Sequence, residues 1–163
     1  IHDAEELLVG PGWLAENEAR LSALAAASPA AERFLAVIEG DRLALGVAIG
    51  IIGLFVLLAT VLGYLDPRGL GMLAYATILG GFALHIGVHL AQARALDGYV
   101  PGLVTGVVVV VPACGYLYTV LLGEGYVASH VAVASAVLGL AIVVPTAILS
   151  HRVGRWVASR VEA

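Results

Sequence analysis

Charged residues are scarce in this sequence. Of its 163 residues, 12% are charged, all eight basic residues are arginine, and 61% are hydrophobic. A soluble domain is typically about a quarter charged, and a chain of this length cannot bury so much apolar surface in water. The composition therefore excludes an ordinary soluble protein and predicts one that is embedded in lipid.

Two further absences exclude a disulfide and two classes of ligand. Cys114 is the one cysteine of the chain, so an intrachain disulfide is excluded. No basic tract and no glycine-rich phosphate loop is present, which excludes nucleic acid and nucleotides. The expected partners are the lipid bilayer, a hydrophobic or lipid substrate, and other copies of the chain in a homo-oligomer. Gly46 and Gly50 form a small-residue face that suits helix packing within or between subunits.

Long uncharged runs determine the predicted fold. A helix needs roughly 20 residues to cross a hydrocarbon core of about 30 Å. Four runs are long enough, namely residues 43–65, 69–93, 101–123 and 125–150. None of them alternates polar and apolar residues as a barrel strand does, so helices are predicted. The expected fold is an all-α, polytopic transmembrane helical bundle that forms a single membrane domain over residues 1–163.

Three shorter segments surround these spans. Residues 1–9 are expected to be the end of a first helix that starts upstream, with a break at Gly10-Pro11-Gly12. Residues 10–40 keep apolar positions at helical spacing among acidic residues, which predicts two amphipathic interfacial helices, the second beginning at Ser28-Pro29. A small soluble cap between spans is the alternative for this segment. Residues 151–163 are expected to form a cytoplasmic tail.

The arginines predict the orientation in the membrane, because basic residues accumulate on the cytoplasmic side. With alternating loops, Arg68 is alone on one side, and the other seven arginines share the opposite side. That opposite side is therefore predicted to be cytoplasmic. The protein is expected to be a multi-pass protein of the cell membrane with its C-terminus in the cytoplasm.

Ionisable residues near or inside the spans are costly and mark candidate functional sites. Six candidates fall at the predicted cytoplasmic face, namely His2, Glu5, Glu6, His85, His89 and His151. His130 lies near the opposite face. It is expected to be a polar residue that bonds to backbone rather than a functional group.

The spacing of these residues predicts a metal site. His2 and Glu6 are four residues apart, and so are His85 and His89, so each pair shares one face of a helix. Histidine and carboxylate side chains are the donors of zinc and iron sites, and helical bundles build such sites from inward-facing pairs. We predict a divalent metal ion, zinc or iron, bound by His2, Glu6, His85 and His89. One of Glu5 and Glu6 is expected to be a ligand and the other a catalytic general base, with His151 and Thr105 as possible supporting residues.

Structural roles remain open for the same residues. His85 and His89 can equally form a polar hydrogen-bonded pair between helices. His151, which precedes Arg152 at a helix end, equally suits an interfacial anchor. Glu5 and Glu6 can simply be solvated at the interface.

Two motifs resemble a known family. The segment His2-Asp3-Ala4-Glu5-Glu6, followed by Pro11-Gly12-Trp13, resembles the HXXEE-domain membrane proteins of bacteria and archaea. A second matching stretch has His89 before Tyr99, then Pro101-Gly102-Leu103-Val104-Thr105 and Pro112. The resemblance implies a shared site whose matching residues are His2, Glu5, Glu6, His89, Pro101, Gly102 and Thr105. It also implies that the first motif closes a membrane helix and that the complete protein has five spans. The family is biochemically uncharacterised, so the resemblance brings no reaction with it.

Three functions compete on these observations. The first is a metal-dependent membrane enzyme, hydrolase-like or oxidoreductase-like, acting on a lipid or amphipathic substrate. The second is a small proton- or cation-coupled transporter, for which Pro112 and Pro145 would break two spans. The third is a structural membrane subunit. An intramembrane protease of the CAAX type is disfavoured, because its paired glutamates are followed by an arginine, whereas Leu7, Leu8, Val9 and Gly10 follow Glu6 here.

Overall fold

Helices make up every regular element in the residues that the computed structural model describes, 1–38 and 41–161. In chain order these are α1 (His2–Glu16), α2 (Glu18–Ala27), α3 (Pro29–Ile38), α4 (Arg42–Leu65), α5 (Leu70–Ala95), α6 (Leu103–Thr105), a π-helical segment (Gly106–Val110), α7 (Val111–Gly123) and α8 (Ser129–Val161). Residues 39–40 and 162–163, at the ends of the predicted interfacial segment and of the predicted tail, lie outside the described residues.

Within the described ranges, four units are long and apolar enough to cross a membrane. They are α4, α5, the continuous stretch Leu103–Gly123, and α8. Large side chains such as Leu54, Leu57 and Leu58 are exposed on the outside of α4, which is the arrangement expected where lipid is the solvent. The predicted all-α transmembrane bundle is confirmed.

Glycines bring the spans into close contact. Gly81 of α5 and Gly139 of α8 lie backbone to backbone, so that a Cβ at position 139 would be 2.6 Å from the Gly81 nitrogen and even closer to the Thr77 carbonyl. At position 154 a Cβ would meet the carbonyl of Ala44 on α4. Small residues allow this approach, and close backbone packing replaces the hydrophobic effect that is missing between helices in lipid. The bundle is therefore held around α5, the most buried of the four spans.

The predicted helix break at Gly10-Pro11-Gly12 is wrong, because α1 continues through it to Glu16. Pro11 removes one backbone donor but leaves the rest of the helix intact. Gly10 is buried, and a Cβ there would lie 3.6 Å from the Leu45 side chain of α4, so the glycine serves helix packing. In contrast, α3 begins at Pro29 as predicted.

The last helix extends beyond the apolar run that predicted it. Arg152 and Arg155 end the hydrophobic stretch, but α8 continues to Val161. Charged residues end a membrane span without ending a helix, since arginine is a good helix former. Gly154 and Ala158 are buried and keep this extension packed. The predicted tail 151–163 is therefore helical as far as residue 161.

A π-helical segment interrupts the third span at Gly106–Val110. Its wider turn is marked by a hydrogen bond from the Val111 N–H to the Gly106 carbonyl. Pro112 has no N–H, and in a regular α-helix its ring would clash with the carbonyl four residues before it. The wider turn accommodates this proline, and π-helical turns of this kind are frequent at functional sites. Here the segment begins directly after Thr105.

Candidate metal centre

Two helical pairs of side chains meet inside the bundle. His2 and Glu6 project from one face of α1, and His85 and His89 project from one face of α5, because each pair is separated by about one turn. Each of the four side chains offers one ligand atom, and these atoms all lie within 4.8 Å of one another. The structure thus brings together the four residues that the sequence proposed as metal ligands.

Three distances within this cluster are close to those between ligand atoms that share one ion. The Nε2 atoms of His85 and His89 are 3.1 Å apart. Oε1 of Glu6 is 3.2 Å from Nε2 of His89 and 3.8 Å from Nε2 of His2. Two ligand atoms at roughly 2.0–2.1 Å from a tetrahedral zinc ion lie about 3.3–3.4 Å apart. The donor atoms therefore need to move only a few tenths of an ångström for these pairs to share an ion.

Several ring nitrogens of the cluster have no hydrogen-bond partner among the described residues. Both nitrogens of His2 are buried and unpartnered, and so are the Nδ1 atoms of His85 and His89. Buried polar atoms are almost always hydrogen-bonded, since leaving one unpaired costs free energy. A bound cation would satisfy the free lone pair of His2, which is only 4% exposed.

The protein environment shifts the pKa values of His2 and Glu6, the two groups that α1 contributes, in opposite directions. Burial lowers the pKa of His2, despite the opposing charges of Asp3 and Glu5. Burial also raises the pKa of Glu6 to about 8, and the neighbouring carboxylates of Asp3 and Glu5 add to the rise. Without an ion, the cluster at neutral pH therefore contains a neutral imidazole at His2 and a largely protonated Glu6.

Glu5 points away from the cluster and ties α1 to the start of the third span. Its Oε2 accepts hydrogen bonds from the Thr105 N–H at 2.9 Å and the Thr105 hydroxyl at 2.6 Å, and its Oε1 accepts one from the Tyr99 hydroxyl at 2.5 Å. Burial alone would raise the pKa of Glu5, but the hydrogen bonds from Thr105 and Tyr99 outweigh it and lower the pKa to about 2. Burial and the Glu5 carboxylate together raise the pKa of Tyr99 to about 12.

Gly102 closes the cluster on one side. It has a φ of 84°, and a Cβ there would lie 2.7 Å from Cε1 of His2, 2.9 Å from Oε1 of Glu6 and 3.0 Å from Cε1 of His89. The position thus demands glycine for its backbone conformation and for the space beside the ligands. The sequence had indicated a helix start at Pro101-Gly102, but it gave no sign of this contact. It also gave no sign of Tyr99 as a partner of Glu5.

The other candidate residues, His151, Thr105 and His130, lie outside the four-residue cluster. His151 of α8 lines the same cavity as His85 and His89 but does not belong to the four-residue group. Thr105 lies outside this group and donates its hydrogen bonds to Glu5. His130 is exposed at the start of α8, far along that helix from His151.

Comparison with known proteins identifies the motif at this site. Residues 1–117 match the profile of a family described as "Protein of unknown function with HXXEE motif". The match includes all four residues of the cluster, together with Glu5, Gly102 and Thr105. No curated protein and no solved structure matches the chain.

Proposed function

Since the chain belongs to the family with the HXXEE motif, whose function is unknown, we propose that it is a membrane enzyme that binds one divalent metal ion, zinc or iron, and acts on a lipid or amphipathic substrate. His2, Glu6, His85 and His89 are the proposed ligands. The observation that carries the proposal is the convergence of their ligand atoms within 4.8 Å. Unpartnered nitrogens at the same place support it.

The donor set determines which ions are suitable. Three imidazoles and one carboxylate suit zinc and iron better than calcium or magnesium, which prefer oxygen donors. Such an ion polarises carbonyl or phosphoryl oxygens and lowers the pKa of a coordinated water. Zinc has no redox chemistry of its own and would act as a Lewis acid, for example in hydrolysis, whereas iron would also support oxidation. Glu6, His85 and His89 line a cavity, so a substrate in that cavity would reach the ion.

The two glutamates of the motif receive different roles in this proposal. Glu6 is a ligand, because its carboxylate lies among the imidazoles. Glu5 is a positioning residue, because its hydrogen bonds to Thr105 and Tyr99 fix α1 against the third span. Groups bonded directly to a ligand strengthen metal binding about 10- to 100-fold, and an indirect partner such as Glu5 should contribute at the lower end of that range.

Metal analysis of the purified protein tests the proposal. After removal of metal with a chelator and incubation with zinc or iron(II), we expect one ion per chain in the wild type and none in a His85→Ala/His89→Ala variant. His130→Ala is the matched control, because His130 is an exposed histidine outside the cluster, and it should keep the ion. Absence of stoichiometric metal from the wild type, or equal metal in the double variant, would refute the proposal.

A cation- or proton-coupled transporter is the second candidate. The π-helical segment at Gly106–Val110 and Pro145 inside α8 are irregularities of two spans, and interrupted helices are typical of transporters. Flux of a substrate into liposomes by protein that has lost its metal would select this function over the enzyme.

We further propose that the cluster lies at the cytoplasmic side of the cell membrane, with the C-terminus on the same side. Seven of the eight arginines support this orientation, since basic residues accumulate in cytoplasmic segments. Of the two glycines on α4, Gly46 faces Leu7 of α1 within the chain, and Gly50 supports the proposed homo-oligomer. Gly50 is exposed, and a Cβ there would meet no other atom within 4 Å.

A further inference from the structure

A cavity of about 470 Å³ extends from the His/Glu cluster into the bundle. Its polar lining groups are few, namely Asp3, Glu6, His85, His89, Gln92, Thr146 and His151. Most of the other lining side chains are aliphatic or aromatic, including Ile52, Phe55 and Val56 of α4. A pocket with an apolar body and a small polar group at one end is suited to an amphipathic ligand.

The cavity is at least one leaflet of a bilayer deep. On α4 its lining extends from Leu45 to Val56, and on α5 it extends from Ala95 back to Ile78. At 1.5 Å per residue these stretches are about 16 Å and about 26 Å long. The hydrocarbon core is about 30 Å thick. The cavity therefore reaches from the membrane face that carries the cluster to the middle of the membrane or beyond it.

The α2–α3 hairpin covers the outer end of the cavity. Leu21, Leu24 and Leu35 of these helices line it. The hairpin is fastened by the Arg20 guanidinium, which donates hydrogen bonds to the carbonyls of Leu96 and Asp97 beyond the end of α5. Apolar side chains thus lie between the cluster and the aqueous phase. This cover favours a ligand that comes from the lipid over one that comes from water.

We propose that the cavity holds the single hydrocarbon chain of an amphipathic lipid from the adjacent leaflet, with an oxygen-bearing head group at the His/Glu cluster. This deepens the proposed function and rests on it for the contact between the head group and the metal. If a methylene group takes about the volume of a water molecule, roughly 30 Å³, the cavity accommodates about sixteen carbons. Two chains of that length would need twice the volume, so the cavity is large enough for one chain only.

Photolabelling in phosphatidylcholine nanodiscs tests the proposal. The probe is a sixteen-carbon fatty acid with a diazirine near its methyl end. We expect labelling of the deep lining, around Val56 and Ile78. A Val56→Trp variant fills the deep end and should reduce labelling by about tenfold, which corresponds to about 1.4 kcal/mol of binding. An eight-carbon probe should label that variant and the wild type equally, because its chain ends before position 56.

Leu57→Trp is the matched control. Leu57 neighbours Val56 on α4 but is 58% exposed on the outer surface, so labelling should not change. Equal labelling of the Val56→Trp and Leu57→Trp variants, or labelling spread evenly over outward-facing residues of the wild type, would overturn the proposal.

Removal of metal separates this proposal from the metal proposal. In wild-type protein treated with a chelator, every side chain that lines the cavity is unchanged, so labelling near Val56 should persist while the metal is absent. If the wild type binds no metal but its deep lining is labelled, the lipid chain is supported and only the metal centre is refuted. Metal binding without labelling of the deep lining would refute the lipid chain alone.

Discussion

Thr105 donates both its backbone N–H and its hydroxyl to the same carboxylate oxygen of Glu5. Glu6, the residue after Glu5, directs its carboxylate to His89 instead, with Oε1 3.2 Å from Nε2 of His89. Neighbouring residues on a helix point about 100° apart, so one glutamate can reach the third span while the other reaches α5. The paired glutamates of the motif thus connect α1 to two different parts of the bundle.

Removal of the Thr105 hydroxyl should weaken the metal site without changing its stoichiometry. In Thr105→Val, Glu5 loses one of its three hydrogen bonds, and α1 is held less firmly. We expect zinc affinity to fall about tenfold, the lower end of the range for such partners, in a competition titration with a chromophoric chelator. Thr60→Val is the control, since the Thr60 hydroxyl bonds only to the Val56 carbonyl on exposed α4. Equal affinities of the two variants would contradict the positioning role.

Substitution of Gly102 should abolish metal binding. In Gly102→Ala the new methyl group would crowd His2, Glu6 and His89 at 2.7–3.0 Å. The residue would also have an unfavourable positive φ, which costs about 1–2 kcal/mol. Gly125→Ala separates the two effects, because Gly125 has a φ of 68° with nothing within 4 Å. We expect Gly125→Ala to lower the melting temperature but to keep one zinc ion per chain. Full zinc occupancy in Gly102→Ala would contradict the proposed geometry.

Zinc affinity should rise with pH up to about 8. Burial and the nearby carboxylates raise the pKa of Glu6 to about 8 in the protein without metal, and only the ionised carboxylate binds a cation. Below that pH, binding must displace a proton, so affinity should fall by up to about tenfold for each pH unit. Calorimetry at pH 7 in buffers with different ionisation enthalpies should detect about one released proton.

Glu5→Gln provides the control for this proton count. The pKa of Glu5 is held at about 2 by its hydrogen bonds, so Glu5 is already ionised at pH 7 and contributes no proton. Loss of the Glu5 charge also lowers the pKa of Glu6, so the number released should fall slightly and by much less than one proton. Zinc binding with no proton release from the wild type would show that Glu6 is not a ligand.

The contact between Gly81 and Gly139 should dominate the stability of the α5–α8 pair. A methyl group at position 139 would collide with the backbone of α5, and the two helices would have to separate. We expect Gly139→Ala to lower the free energy of unfolding by about 1–3 kcal/mol, measured by denaturation in mixed micelles. Gly53→Ala should be neutral or stabilising, because nothing lies within 4 Å of its site and alanine is the better helix former. Equal effects would argue against close packing at this contact.

Cysteine labelling tests the orientation. In a Cys114→Ser background, Glu124→Cys places a thiol in the loop before α8, and Ser159→Cys places one near the end of α8. We expect a membrane-impermeant maleimide to label the first in intact cells and the second only after permeabilisation. The reverse pattern would place the His/Glu cluster on the outer face.

The sequence predicts the spans well because hydropathy in lipid is a local property. The runs before Asp66 and Glu124 are apolar over their whole lengths, and a helix is the simplest way to satisfy their backbone groups. The pairs His2/Glu6 and His85/His89 are also local, since their spacing alone places each on one face of a helix.

Other structural features depend on contacts between segments that are distant in the sequence, so local sequence patterns do not predict them. Gly10-Pro11-Gly12 has the composition of a helix break, but tertiary packing on Leu45 keeps α1 continuous. The different roles of Glu5 and Glu6 depend on where Tyr99 and Thr105 lie, more than ninety residues later in the chain. The cavity is lined by residues from six helices.

The order in which the ligand-bearing helices occur in the chain has a consequence for synthesis. His89 is the last of the four proposed ligands, so the ribosome has made the whole donor set before it begins α7 or α8. Newly made α1 and α5 can therefore meet in the membrane, and an ion can join them, while the last span is still to be translated. When α8 arrives, it contributes a wall of the cavity and no ligand.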